Sequence, residues 1–218
     1  MKNPAEKVDI TDISKRFYDA NVPLDQFKTE FPWFQGTVSD ADFSKRRADQ
    51  EEIKIYKEAI GKIDEKKLQA DLQDLFSHIK YYFPSFKSPK VYLFSSALQM
   101  VQDPIFYDAK GNLLFIDVTG FMGEGNANYK GLEMYFQKSM NPNNIVPKVA
   151  QIYAEGFVKE SPDHQKFIDM IILNGKIMIL KDAFFAYVSG LSENELYTET
   201  IRMGSIQRSQ YLELFCGE

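Results

Sequence analysis

Residues able to do chemistry are sparse in this chain, and the densest candidate is the stretch LLFIDVTGFMGEGNANYKGLEMYF, from Leu113 to Phe136. An apolar run enters a glycine-rich loop and a helix-like run leaves it. In dinucleotide-binding proteins such a junction holds a phosphate, because backbone N–H groups at a helix start approach the anion. Here Gly123 and Gly125 supply G-x-G, but position 128 is Asn, and the carboxylate of Glu124 between the glycines would repel a phosphate. Zinc hydrolysis needs imidazoles one helical turn apart with a glutamate beside them. The two histidines, His78 and His164, are far apart, and neither is followed by Glu. His164 sits in a charged helix start, SPDHQK, and no G-x-S-x-G elbow offers it a nucleophile. The single cysteine, Cys216, rules out an intrachain disulfide. No pair of carboxylates is singled out for glycoside cleavage.

The surrounding elements follow from periodicity and caps. Ser39 followed by Asp42 reads as the start of a helix running to about Ile63, with Ile53, Tyr56, Ile60 and Ile63 on one face. Lys45, Arg46 and Arg47 beside Asp40, Asp42 and Asp49 read as a solvated face. Asp64 caps a second helix, with Leu68, Leu72, Leu75, Phe76, Ile79 and Phe83 on one face, Pro84 as its stop and His78 at its boundary. Three strand-like runs follow, at 90–96, 103–108 and 113–118. DAKGN joins the last two as a hairpin, with Gly111 placed to take positive φ. Pro147 suits the first turn of a further helix. Ser161 and Pro162 start another, which runs to about Ala186, is apolar on nearly all sides and therefore reads as central, with Gly175 reserved for a close backbone contact. In FPWFQG (31–36) the aromatics read as packing that fastens residues 9–35, a stretch of short helical turns and loops, to the body.

The expected organisation is one α+β domain, mostly helical with a small β-sheet. It comprises an N-terminal arm (1–38), a helical hairpin (39–86), the sheet (90–118), central helices (129–188) and an atypical or truncated C-terminal segment (189–218). With 218 residues and 44% hydrophobic side chains the chain can bury a sizeable core. A net charge of −5 disfavours nucleic-acid binding. The longest apolar run, FIDMIILNGKIMILKDAFF, contains Asp169, Lys176, Lys181 and Asp182, so it reads as a buried helix rather than a membrane span. The start, MKNPAEKVDITD, has no apolar signal core, which leaves either a cytosolic protein or one whose export segment has been removed.

Three long runs carry a resemblance: DPIFYDAKGNLLFIDVTGFMGEGNANYKGLEMYFQKSMNPNNIVPKVAQIYAEGFV, FPWFQGTVSDADFSKRRADQEEIKIYKEA and FIDMIILNGKIMILKDAFF. Together they resemble the gliding-motility lipoproteins of the GldB family of Bacteroidetes over most of residues 10 to 188. The resemblance implies an envelope lipoprotein, periplasm-facing and lipid-anchored through an N-terminal cysteine absent from this chain. Its partners would be other gliding or secretion envelope proteins. It also implies a zincin-like metallopeptidase scaffold, in which a small sheet precedes a helix carrying H-E-x-x-H and a later Glu-Gly pair supplies the third ligand. At the corresponding positions this chain has PKVAQIYAEGF, without histidine, and Asn174 before Gly175. An amide oxygen is a weak zinc ligand, so the expectation is a scaffold without metal, cofactor or catalysis. Cys216 is at the wrong end for the lipid, and after YTET (197–200) the chain fades from the family pattern.

The expected binding site is a groove beside LLFIDVTGFMGEG, where an unpaired edge of the 113–118 strand would accept a peptide. Asp117, Glu124, Tyr129 and Glu133 would line its entrance. The commoner outcome is that Gly120, Gly123 and Gly125 only let the chain turn and that Tyr129 packs inward. Two other functional classes remain: a peptidase with carboxylate ligands such as Glu155 or Asp182, and a periplasmic carrier that binds a small ligand in an aromatic pocket.

Overall fold

The structure is a computed structural model, and it describes residues 6–34, 38–158 and 166–185. The readings at Ser161, Pro162, His164, 197–200 and Cys216 fall outside these residues. Among the described residues the protein is α+β, mostly helical with one small mixed sheet. The sheet has the order β1-β2-β4-β3, from β1 (Ile10–Asp12), β2 (Lys90–Phe94), β3 (Ile105–Asp108) and β4 (Leu113–Asp117). β2 lies parallel to both β1 and β4, and β3 runs antiparallel to β4. Alternation along the strands sends Val91, Leu93, Leu114 and Ile116 to one face and Tyr92, Phe94 and Phe115 to the other. All of these except Tyr92 are buried. A sheet covered on both faces reads in sequence as unbroken apolar runs, as KVYLF and LLFID do.

Two sequence expectations change here. The 113–118 run is not an edge. The hairpin folds β3 onto one side of β4 while β2 holds the other, so β4 has no open side to receive a peptide. The left-handed residue of the hairpin is Asn112 (φ 52°) rather than Gly111. Gly111 is required for a different reason, since a Cβ there would lie 2.8 Å from Asp108 Oδ2 and 2.9 Å from Leu113 Cγ. Strand β1 was not anticipated, because three residues carry no periodicity of their own and form a strand only by pairing with 91–93.

The chain divides into two compact units. The larger comprises Lys7–Leu72 and Lys87–Val146 and contains the sheet. Its helices are α1 (Ile13–Phe17), α2 (Leu24–Glu30), α3 (Asp40–Ala48), α4 (Gln50–Ile60), the first part of α5 (Glu65–Tyr82) and α6 (Met134–Ser139). Phe17, Phe27, Phe31 and Phe43 cluster with Phe94 and Phe115 of the sheet, which is how the N-terminal arm is fastened. The helix expected from Ser39 to Ile63 is two helices. Asp49 leaves helical geometry (ψ 112°), and its carboxylate accepts from the N–H groups of Glu51 and Glu52, which starts α4 afresh. Ser39 caps α3 and Asp64 caps α5 as expected, accepting from Asp42 N (3.2 Å) and Lys67 N (3.0 Å).

The second unit comprises, among the described residues, Glu6, Gln73–Phe86, 147–158 and 166–185. It contains the end of α5, most of α7 (Ile145–Phe157) and α8 (Phe167–Phe185). Phe83 stacks on Phe157 at 3.8 Å, and Phe76, Phe86 and Tyr153 meet edge-on or tilted. His78 is buried rather than at a boundary, and its Nδ1–H donates to the carbonyl of Phe184 at 2.9 Å. α8 is not central. Phe184 is its one buried residue, while Phe167 is 68% exposed and Ile168, Met170, Ile172, Met178 and Ile179 are also exposed. Apolar composition on all sides signals a capacity for burial and does not supply the neighbour that would provide it.

The glycines separate two kinds of site. A Cβ on Gly120 would overlap the ring of Pro104, so Gly120→Ala is expected to destabilise the larger unit by up to about 3 kcal/mol. At Gly175 nothing among the described residues lies within 4 Å of the added Cβ, so none of them makes the close contact expected there. Gly175→Ala should stabilise α8 by about 1 kcal/mol, seen as slower amide exchange in 167–185. Faster exchange there would contradict the open environment.

Candidate functional site

Three strands run parallel, and their C-terminal ends gather the polar residues of the larger unit. Ligands of parallel sheets are commonly held at such ends. Ser14 lies in α1 just after β1, Ser95 and Ser96 follow β2, and Asp117 ends β4 with Thr119 two residues on. All five are buried.

Asp117 has no exposed surface, and its carboxylate is surrounded by donors. Oδ1 accepts from Ser96 N (3.1 Å), Thr119 N (3.0 Å) and Thr119 Oγ1 (2.7 Å), and Oδ2 accepts from the Ser96 hydroxyl. Such charge-assisted bonds offset the desolvation of a buried carboxylate, which otherwise costs several kcal/mol. The turn after β2 is tied down in the same way. Ser95 N donates to Ser14 Oγ (2.8 Å), Ala97 N to Ser95 Oγ (3.2 Å), Leu98 N to Thr119 Oγ1 (3.3 Å) and Met100 N to Ser96 Oγ (3.0 Å). This turn contains Ala97 and Leu98 at φ 53° and 72°. Left-handed geometry costs a non-glycine residue about 1–2 kcal/mol, and the side-chain hydrogen bonds hold it in place.

A second polar group adjoins β1. Tyr56 donates to Asp12 Oδ2 at 2.6 Å, and Tyr18 donates to Glu52 at 3.1 Å, where Arg46 is also paired at 3.0 Å. Burial pushes the Asp12 carboxyl above its usual 3.8, while the Tyr56 hydrogen bond and the backbone N–H groups of α1 act against that rise. Burial and the facing carboxylates push the Tyr56 and Tyr18 phenols upward.

The four residues expected to line one groove do not share a surface. Tyr129 is fully buried like Asp117. Its hydroxyl donates to Thr119 O (2.6 Å) and accepts from Met122 N (2.9 Å), and burial pushes its pKa to about 12. Glu124 and Glu133 are exposed. Gly123 and Gly125, on either side of Glu124, take φ of 105° and 75°, as a turning role requires. The loop is fastened by Glu58 of α4, which accepts from Asn126 Nδ2 (2.6 Å) and Asn128 Nδ2 (3.3 Å).

Of the proposed alternative metal ligands, Glu155 is exposed and accepts from Gln151 at 2.8 Å. Asp182 is also exposed, and partial desolvation raises its pKa. Among the described residues no three or more His, Cys, Asp or Glu side chains come together as a metal-binding group. Sequence reasoning missed Ser95, Ser96 and Thr119. Their only signal was small hydroxyl residues directly after two strand-like runs.

Asp117→Asn would turn an amide N–H toward groups that themselves donate. It is expected to lower unfolding stability by about 3 kcal/mol in a urea titration. Unchanged stability would mean that Asp117 does not organise this edge. For Asp12, the raised carboxyl means that the folded chain holds the proton to higher pH than the unfolded chain. Its stabilising contribution is therefore full below pH 3.8 and is lost as pH rises through the folded value. Tyr56→Phe removes a hydrogen bond that favours the carboxylate, so the Asp12 titration followed by carboxyl NMR should move further upward. A downward move would contradict this assignment.

Comparison with known proteins places these features in one context. No curated protein and no solved structure matches the chain. One family model, described as the gliding motility protein GldB, matches residues 1–199. That match spans the whole sheet, the Asp117 network and all eight described helices, and the chain belongs to the GldB family of gliding motility proteins.

Proposed function

We propose that this chain serves gliding motility, and the protein secretion associated with it, as a non-catalytic binding domain in the cell envelope. In this reading it is a zincin-like scaffold without zinc, held facing the periplasm by a lipid anchor, and its partners are other motility or secretion proteins. The observation that carries the reading is the state of Asp117. The carboxylate at the C-terminal edge of the sheet is buried and accepts hydrogen bonds from Ser96 and Thr119, so we read it as an organiser of backbone rather than a base or ligand. Two further observations agree with it. A small sheet precedes α7, the order the peptidase resemblance requires, and no helix among the described residues is long and apolar enough to cross a membrane. Surface for partners is available on α6, where Met134 and Tyr135 are 63% and 69% exposed. Exposed aromatic and methionine side chains of this kind are enriched at protein interfaces.

A photo-crosslinking residue at position 135 in gliding cells should capture another envelope component of motility or secretion. The same residue at the exposed Lys62 serves as the control. A purified protein that contains stoichiometric zinc and cleaves peptides, with both properties lost on changing Glu155 and Asp182, would establish the enzyme reading instead.

A further inference from the structure

Helix α8 carries two stripes of identical spacing. Leu173, Ile177, Leu180 and Phe184 recur at intervals of four, three and four residues, and so do Ile168, Ile172, Gly175 and Ile179. That is the spacing of a helix-packing seam. Each member of one stripe lies five residues from its counterpart in the other, which sets the stripes about 140° apart around the helix. The first stripe faces inward. Leu173, Ile177 and Leu180 are half-buried, and Phe184 is buried beside Phe83 and Phe157, with ring centroids at 6.3 and 6.4 Å. The second faces away, and its Ile168, Ile172 and Ile179 are 55%, 49% and 48% exposed. Phe167, Met170 and Met178 extend this open surface on the adjoining side.

Gly175 lies within the outer stripe, and no described residue comes within 4 Å of a Cβ added to it. A glycine in the middle of a seam lets another helix bring its backbone close while the isoleucines on either side interdigitate. Ile172 and Ile179 flank Gly175 at three and four residues, so the seam is nearly symmetric about the glycine. A two-fold axis there sets each copy's isoleucines against the other's, which is the self-complementarity a closed dimer needs. Charge agrees with this. Two chains of net charge −5 repel one another, but α8 is neutral, because Lys176 and Lys181 offset Asp169 and Asp182. All four charges lie outside the seam. The six exposed apolar side chains of α8, each about half open, present roughly 500 Å² per chain, which is large for a patch on a monomer and a major part of the ~800 Å² that each partner contributes to a standard interface. A lipid surface is a poorer match. An interfacial helix sets one apolar face against a strongly cationic one, whereas α8 is apolar on nearly all sides and has no net charge.

We propose that α8 is a homodimerisation surface, in which the Ile168–Ile172–Gly175–Ile179 seams of two copies of this chain pack on each other with Gly175 at the crossing. The inference stands apart from the envelope-binding reading above and does not rest on it.

Sedimentation equilibrium of the full chain should give an average mass that rises with concentration toward twice that of one chain. Gly175→Leu fills the crossing with a bulky side chain while improving helix propensity. Ile172→Glu places a charge in the seam of both copies. Each should weaken dimerisation at least about tenfold, as loss of a central interface contact does, without lowering the melting temperature of the dilute protein. Ile172→Leu keeps the seam apolar and should still dimerise. The amides of 168–179 should also exchange more slowly in concentrated than in dilute wild-type protein, a readout that needs no variant. A single-chain mass at every concentration overturns the proposal, and so does a dimer that both Gly175→Leu and Ile172→Glu leave intact. Capture from position 135 reports on α6, so a monomeric chain with intact capture removes the dimer and leaves the binding role standing.

Discussion

A carboxylate withdrawn from water has to be given hydrogen-bond donors, and meeting that requirement at Asp117 organises the centre of the larger unit. Ser96 and Thr119 supply the donors, one from the turn after β2 and one from the turn after β4. Neighbouring parallel strands are thereby linked beyond their backbone ladder at the end where each chain segment leaves the sheet. The left-handed pair Ala97 and Leu98 is part of the consequence, since the turn must bring Ser96 to the carboxylate and return toward β3. Tyr129 extends the arrangement by fixing the Thr119 carbonyl and the Met122 amide. A glycine-rich stretch that resembles a ligand loop is in this way built into the interior at one end and fastened by Glu58 at the other.

The aromatic side chains carry the rest of the larger unit. Phe17 meets Phe27, Phe34 and Phe43 at 5.3–5.9 Å, in the tilted and edge-on geometries that the ring quadrupole favours. These contacts close one face of the sheet and leave Trp33 and Phe106 at its margin.

Much of the secondary structure was legible because its causes are local. Ser39 and Asp64 cap helices whatever the chain does elsewhere, Pro84 ends α5, and DAKGN forces a reversal. The misreadings had causes that do not appear in a short window. Asp49 looked like one more charge on a solvated face, yet its carboxylate finds two backbone N–H groups and starts a new helix. β1 exists only because 91–93 lies beside it. Gly120 reads in sequence as a residue that lets the chain turn, and its need is the ring of Pro104, sixteen positions earlier in the chain. α8 looked central because apolar side chains state what could be buried without stating what is.

By itself, then, the sequence determined the class of fold, the family, the caps and the absence of an H-E-x-x-H motif. All of these depend on residue identity and near-neighbour spacing. Only the tertiary structure decided that β4 is interior, that Asp117 and Tyr129 are buried while Glu124 and Glu133 are not, and that aromatic residues from distant segments cluster against one face of the sheet. The reason is geometric. Strand order, register and burial arise from pairings between segments far apart in the chain, and the free energy of those pairings is not recorded in any local pattern.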